Sequence, residues 1–344
     1  MPELEDPATG GRPRRVLVTG GAGFIGSHLV ERLLARGDHV VVCDDLSTGR
    51  QKNLDQARSI PTGSLTLVHS DLREFLTGAG RHDRFDRIFH LAAAVGVKRV
   101  MDDPIAAIRT NIDQTQSLFD FAIASGKPPT LIASSSEVYG KGVKTPFHED
   151  DDVLYGPTTK TRWSYACSKA IDEHLAISHH RQNALPVVIV RFFNTVGPRQ
   201  VGDYGMVLPR FVHAAITGEP LKVFGDGTQS RTFCDVRDIV DVLPRMLDIH
   251  AAVGRVFNLG SERVVTVRAL AEVVVRTLGS ASPITTVPYS DAFQEGFEEL
   301  QTRCPDISRA RANVGFEPKI GLEQTIKDIA AEMQAHRLVK GDAK

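Results

Sequence analysis

Three glycines spaced three apart, Gly20, Gly23 and Gly26, follow the apolar run Val16-Leu17-Val18 and lead into an amphipathic stretch from Ser27 to Arg36. That order sets them at a strand-to-helix turn and commits the start of the chain to a βαβ unit. Each glycine has a separate physical reason. Gly20 permits the tight turn, Gly23 lets the backbone approach a ligand's phosphates, and Gly26 lets the helix pack closely on the strand. Amides of the first helical turn, around Phe24 and Ile25, then face the anion. Gly37-Asp38 ends the helix, and His39 to Cys43 forms a second apolar strand closing on Asp44. An acid there accepts both ribose hydroxyls of NAD and repels the 2′-phosphate of NADP, so the pattern predicts an NAD site. Arg50 is the nearby cation that would reverse the preference if the loop of residues 45–49 folded back.

The alternation continues. Leu65 to Val68 reads as a third strand ending at Asp71, Arg87 to Leu91 as a fourth, Ile105 to Ser125 as a long helix, Thr130 to Ala133 as a fifth strand and Pro186 to Phe193 as a sixth. Strand-helix repetition of this kind predicts an α/β fold with a Rossmann-type, doubly wound parallel sheet. After residue 194 glycines and prolines break the pattern into short elements, which suits a smaller C-terminal substrate domain. Asp235 to Asp248 as a helix and Arg255 to Leu259 as a strand are regular enough to return to the first domain. The expected partition is therefore discontinuous: a disordered leader over 1–13, a dinucleotide-binding domain over 14–193 and 232–258, and a substrate domain over 194–231 and 259–338.

Bulk properties narrow the partners. With 41 basic and 42 acidic residues the net charge is −1, which gives no electrostatic reason to expect nucleic acid or an anionic membrane. No apolar run approaches the roughly 20 residues that span a bilayer, and the first 13 residues lack the apolar core of a secretory signal, so a cytoplasmic location is expected. Cys43, Cys167, Cys234 and Cys304 lie far apart, and His179-His180 has no third ligand nearby in sequence, so no metal is expected.

Chemistry concentrates in two segments. Tyr165 and Lys169 lie four apart on one face of a helix running from about Ser164 to His180. A free tyrosine ionises near ~10, so a phenolate at neutral pH needs its pKa lowered by about three, or roughly 4 kcal/mol, which an ammonium in a dry site helps to supply. Upstream, Ser134-Ser135-Ser136-Glu137-Val138-Tyr139-Gly140 lies just past the carboxyl end of a predicted strand. Its hydroxyls and carboxylate are placed to polarise an alcohol and move a second proton.

The glycine turn, Asp71-Leu72, His90-Leu91-Ala92-Ala93, Asn111, the serine cluster, Tyr165 with Lys169, and Arg191-Phe192-Phe193-Asn194-Thr195-Val196-Gly197-Pro198-Arg199 together resemble the extended short-chain dehydrogenases/reductases that act on nucleotide sugars. The resemblance covers nearly the whole chain. It implies an NAD-binding domain, a small nucleotide-sugar domain, and a homodimer formed through two helices, Ile105 to Ser125 and Ser164 to His180. It also implies that Asp71 and Leu72 line an adenine pocket, that Leu91, Ala92 and Asn111 line the cofactor cleft, and that Lys169 holds the nicotinamide ribose. Ser135 and Tyr165 would meet the sugar C4 hydroxyl. At the substrate end it implies Asn194 as the diphosphate ligand, Arg199 as a further substrate-binding residue, Arg231 facing phosphate or sugar, and Arg303 with Asp306 holding the nucleotide.

Members of that family begin by oxidising the sugar at C4, and Glu137 bears on the fate of the resulting ketone. Simple 4-epimerases usually carry a small or apolar residue there, and 4,6-dehydratases carry an Asp-Glu pair. The Ser136-Glu137 pair resembles UDP-glucuronate decarboxylases, as does Arg162-Trp163-Ser164-Tyr165. Asn194 to Arg199 and Tyr204-Gly205-Met206-Val207 instead resemble 4-epimerases. The expectation is decarboxylation of UDP-glucuronate to UDP-xylose or its 4-keto precursor, with a UDP-sugar 4-epimerase as the alternative; a dehydratase and a non-catalytic cofactor-binding regulator rank below both. In that scheme Tyr165 removes the O4 proton, Ser135 relays it, and Glu137 with Ser136 assists at C5 and orders water. Arg231 steadies the carboxylate or phosphate.

Overall fold

A computed structural model describes residues 12–93, 103–142, 144–202, 206–288 and 302–341. Most of the expected leader, residues 1–11, lies outside these, as do Tyr204 and Gly205 and part of the late segment 259–338. The first half runs β1 (Arg15–Thr19), α1 (Phe24–Ala35), β2 (His39–Asp44), α2 (Asp55–Arg58), β3 (Ser64–His69), α3 (Leu72–Thr77), β4 (Arg87–His90), α4 (Pro104–Ala124), β5 (Thr130–Ser135), α5 (Ser164–Asn183) and β6 (Val187–Phe192). Caps set several boundaries. Asp103 accepts from the Ala106 amide ahead of Pro104 at the start of α4, and Asp71 accepts from the Arg73 amide at the start of α3.

After β6 come β7 (Thr195–Val196), α6 (Val207–Thr217), β8 (Leu221–Phe224), β9 (Ser230–Thr232), β10 (Cys234–Asp235), α7 (Val236–Met246) and β11 (Arg255–Leu259). The last elements are β12 (Val264–Thr266), α8 (Val267–Leu278), β13 (Ile284–Val287), β14 (Thr302–Arg303), α9 (Ser308–Val314) and α10 (Leu322–Gly341).

Seven strands form one sheet in the order β3-β2-β1-β4-β5-β6-β11, every neighbouring pair parallel. This is the doubly wound Rossmann order extended by a seventh strand. Period-2 alternation divides the strands between two cores: Val16 and Val18 of β1 join α1 and α7 on one face, and Leu17 joins α4 and α5 on the other. Burial on both faces explains why these strands read as continuous apolar runs. A third core sits apart, where Phe211 and Val212 of α6, Leu270 and Val274 of α8, and Ile326 and Ile329 of α10 close over Leu221 and Val223 of β8. The chain leaves the sheet for this region from β6 and again from the adjacent β11, where the Phe193 amide donates to the Leu259 carbonyl at 2.9 Å. Among the described residues no helix is long and apolar enough to cross a membrane.

Candidate active site

Strand order reverses between β1 and β4, and a cavity of about 570 Å³ opens at the carboxyl ends of the strands there. Its first end is built from backbone. Gly20 has φ +68°, and a Cβ on it would lie 2.8 Å from the Ala92 amide nitrogen; a Cβ on Gly26 would lie 2.2 Å from the Gly20 carbonyl oxygen. No residue with a side chain fits either place without moving backbone. Gly23 caps α1 without a side-chain bond, so amides of the first turn remain for a ligand, and Gly23, Phe24, Ile25 and Gly26 all line the cavity.

Asp44 closes this end. Its Oδ2 accepts from the Ala22 amide and its Oδ1 from the Leu46 amide, both at 2.9 Å, which fixes the carboxylate at the cavity wall. Burial raises its pKa, against those two donors. Arg50 is exposed and is not on the wall. The glycine cradle, the uncapped helix and the fixed acid without a facing cation together fit a dinucleotide with a free 2′-hydroxyl. Asp71, Leu72, Leu91 and Ala92 continue the same wall.

The middle of the cavity holds the reactive side chains. Ser135 ends β5, its hydroxyl accepts from the Glu137 amide at 3.2 Å, and it is hydrogen-bonded to Tyr165 at the start of α5. Lys169, one turn along α5, donates to Asp172 Oδ2 at 2.8 Å. The Tyr165 phenol lies well above its ordinary pKa because it is buried and faces Glu137, with a smaller push from Asp172 and an opposing bond from Ser135. Behind this group Arg191 of β6 makes a two-pronged bond to Glu173 of α5, at 2.9 and 2.7 Å, and so fixes the Tyr165 helix to the sheet.

Glu137 is gripped from two sides. Arg162, just before α5, reaches its Oε2 at 2.6 Å, and Arg303 of β14 pairs with its Oε1. Burial alone would raise this carboxyl; the two arginines override it and hold the pKa at about 2. Held below the ordinary carboxylate range by the two arginines, Glu137 is an anion at neutral pH.

The far end of the cavity is cationic. Arg210 and Lys222 join Arg231, Arg162 and Arg303 on the wall against the single acid Glu137, whereas Asp44, Asp45 and Asp71 line the cofactor end. The Arg210 guanidinium lies over the Phe224 ring, 4.9 Å from its centre, and has no carboxylate partner among the described ion pairs. Asn194, with φ +29°, presents a buried Nδ2 that has no hydrogen-bond partner. A gradient from acid to base along one cavity suits a ligand pair with ribose hydroxyls at one end and a diphosphate at the other.

A protein-family model described as "NAD dependent epimerase/dehydratase family" matches residues 16–260. The chain belongs to this family. It is 40% identical to a UDP-N-acetyl-alpha-D-glucosaminuronate decarboxylase of Bacillus cytotoxicus, over 92% of this chain and 96% of that one. It is 36% identical to UDP-glucuronic acid decarboxylase 4 of Arabidopsis thaliana, over 90% of this chain and 66% of that longer protein. Among solved structures, a UDP-glucuronic acid 4-epimerase from Bacillus cereus, in complex with UDP-glucuronic acid and NAD, superposes with a TM-score of 0.80 at 25% identity, covering 94% of this chain and 99% of that one.

Within this family frame, three expected site residues sit off the cavity wall. Arg199 has φ +68°, which turns its side chain away: it pairs with Glu31 at 2.5 Å and bonds Ser27 and Gln56, joining the turn after Pro198 to α1 and α2. Asp306 lies two residues before α9 and accepts from the Ser308 amide at 2.7 Å. Asn111 is buried and donates to Ser168 at 3.0 Å, tying α4 to α5. Arg303 does line the cavity, with Glu137 as its partner. Ser136 is buried on the wall beside it. Sequence reasoning missed Arg210, Lys222 and Asp172 and gave Arg162 no role. The signal for Arg210 and Lys222 was only a cation in a largely apolar helix and strand, Lys222 sitting on the exposed face of β8 between buried Leu221 and Val223. Among the described residues no group of three or more His, Cys, Asp or Glu is placed to hold a metal.

Proposed function

We propose that this chain is a decarboxylase of a UDP-linked hexuronic acid, either UDP-glucuronate or its 2-acetamido counterpart, with NAD held at the glycine turn. The observation that carries the reading is the Arg162–Glu137–Arg303 cluster beside Ser135 and Tyr165. Its two cations and one anion leave a net charge of +1 where a sugar's C6 group would lie. A neutral hexose has no use for that charge. The names of the curated relatives support the same substrate class.

The chemistry supplied by a bound NAD is reversible hydride transfer at sugar C4. Gly20, Gly23 and Gly26 would admit its pyrophosphate, Asp44 its adenine ribose hydroxyls, and Lys169 its nicotinamide ribose. Tyr165, its pKa raised as it stands, would take the O4 proton with Ser135 as relay once the positive nicotinamide of a bound NAD lies beside it and lowers the phenol. Once C4 is a ketone it is β to the C6 carboxylate, so the C5–C6 bond can break with its electron pair passing to C5 and O4. Tyr165 and Ser135 then donate to the O4 enolate. Glu137 offsets much of the charge on Arg162 and Arg303, so the site admits a carboxylate without gripping it, and carbon dioxide leaves. Arg210, Lys222, Arg231 and Asn194 would hold the diphosphate and nucleotide.

A 4-epimerase is the second reading, favoured by the superposition on the Bacillus cereus 4-epimerase. Purified protein incubated with UDP-glucuronate, with its 2-acetamido analogue and with UDP-glucose separates the two. Carbon dioxide and a UDP-pentose by NMR support the decarboxylase, while interconversion of C4 epimers without gas sinks it. We further take residues 14–193 with 232–258 as the NAD-binding domain and 194–231 with 259–338 as the nucleotide-sugar domain. The expected form is a cytoplasmic homodimer paired through α4 and α5, whose Ile105 and Ile171 are 66% and 41% exposed. Sedimentation checks the dimer: a monomer at micromolar concentration overturns it.

A further inference from the structure

We infer that Asp172 is a positioning residue: from within the same helix it holds the Lys169 ammonium and offsets its charge, and so sets the pH at which Tyr165 can act as a base. The inference rests on the reading of Tyr165 as that base. Asp172 lies three residues past Lys169 on α5, at 0% exposure against 2% for the lysine. One carboxylate oxygen accepts from Lys169 Nζ at 2.8 Å; the other, Oδ1, is buried with no hydrogen-bond partner. A half-satisfied buried carboxylate costs folding free energy, and an aliphatic residue would pack on the inner face of α5 without that cost. Its presence is explained by what it does to Lys169.

An ammonium one helical turn from a tyrosine draws the phenol toward its anion; a carboxylate against that ammonium cancels most of the draw. The other charged and titratable groups do not restore it. Arg162 and Arg303 are bound to Glu137, which itself faces Tyr165 as an anion. His90 of β4, between Thr19 and Thr115, is held neutral, its pKa pushed down to about 3 by burial and then by Lys169. On the α4 side, Asn111 and Ala107 are uncharged. Glu173 is committed to Arg191. Asp172 is thus the carboxylate bound directly to the Lys169 ammonium, and it acts on Tyr165 in the same direction as the stronger Glu137.

The test compares wild type with Asp172→Asn and Asp172→Ala. Two readouts are taken: the acid limb of the pH profiles of kcat and kcat/KM, and the Tyr165 ionisation in protein without substrate, from near-ultraviolet difference absorbance against Tyr165→Phe in each background. The expected result is that limb and titration move together to lower pH by about one unit. Turnover on the acid limb then rises by up to about tenfold. An unchanged limb and titration overturn the inference, and so does loss of fold in both variants, which would make the aspartate a structural requirement. Wild-type turnover in Tyr165→Phe instead removes the base assignment, while the absorbance titration still reports whether Asp172 governs that phenol.

Discussion

The two ends of the cavity are made differently. At the cofactor end the seat is built from backbone at the glycine turn, with Asp44 fixed by two amides, and the wall continues through Asp71, Leu72, Leu91 and Ala92. At the substrate end contacts come from side chains on five separate segments, at Arg162, Arg210, Lys222, Arg231 and Arg303. The first kind of site tolerates almost no change at its glycines, because the alternative is a clash with main chain. The second kind shares its work among cations, so single losses weaken it by degrees.

Gly26→Val should break the comparison most sharply. A side chain there meets the Gly20 carbonyl at 2.2 Å, so dinucleotide binding and turnover should both vanish. Calorimetric titration with NAD checks this, and near-normal binding would mean that the turn is not the pyrophosphate seat. Next comes Tyr165→Phe, expected to lower turnover ~10²- to 10⁴-fold with substrate affinity nearly unchanged. A parallel loss of binding would mark a structural tyrosine.

Glu137→Gln sharpens the contrast from inside the cationic end. Two arginines then face a neutral amide and grip the sugar carboxylate harder, so carbon dioxide release should fall roughly tenfold to a hundredfold, about 1.4–2.7 kcal/mol in barrier. Absorbance of reduced cofactor from C4 oxidation should persist. The same residue gives a stability signature. Its folded pKa of about 2 lies below the ordinary value of about 4.3, so its stabilisation is complete above about pH 4.3 and is lost as pH falls toward 2. Acid denaturation of the variant should lack that component. Equal acid sensitivity in the two proteins contradicts the pairing.

Smaller effects are expected at the edges. Arg210→Met should raise KM about tenfold with kcat held, one charged contact among several. Arg199→Ala should leave KM within about twofold yet lower stability by about 1–3 kcal/mol, since it strands Glu31. A large KM effect at Arg199 would return it to the substrate site.

The same division explains what was legible in the chain. The glycine turn, Asp44 and the parallel strands could be read locally, because spacing, capping and apolar period carry the information. The ionic partners could not. Nothing near Glu137 in sequence says that Arg303 lies against it, and the resemblance coupled Arg303 with Asp306 at the nucleotide, not with Glu137. Arg199, which the resemblance placed among the substrate-binding residues, lies off the cavity wall on Glu31, Ser27 and Gln56, partners that nothing near it in sequence announces. Asp172 was invisible because, on a helix of mixed polarity, one more acid carries no sign of being inside.

The paired exits from β6 and β11 have a mechanical consequence. A part hung from one strand can swivel in any direction, but here two parallel strands, hydrogen-bonded to each other up to Phe193 and Leu259, carry the smaller part of the molecule together. Phe147 adds a third tie, exchanging backbone bonds with Cys304 and Asp306, and Arg303 pairs with Glu137, so the wall that carries the cations is fastened to the half that carries Tyr165 and Ser135.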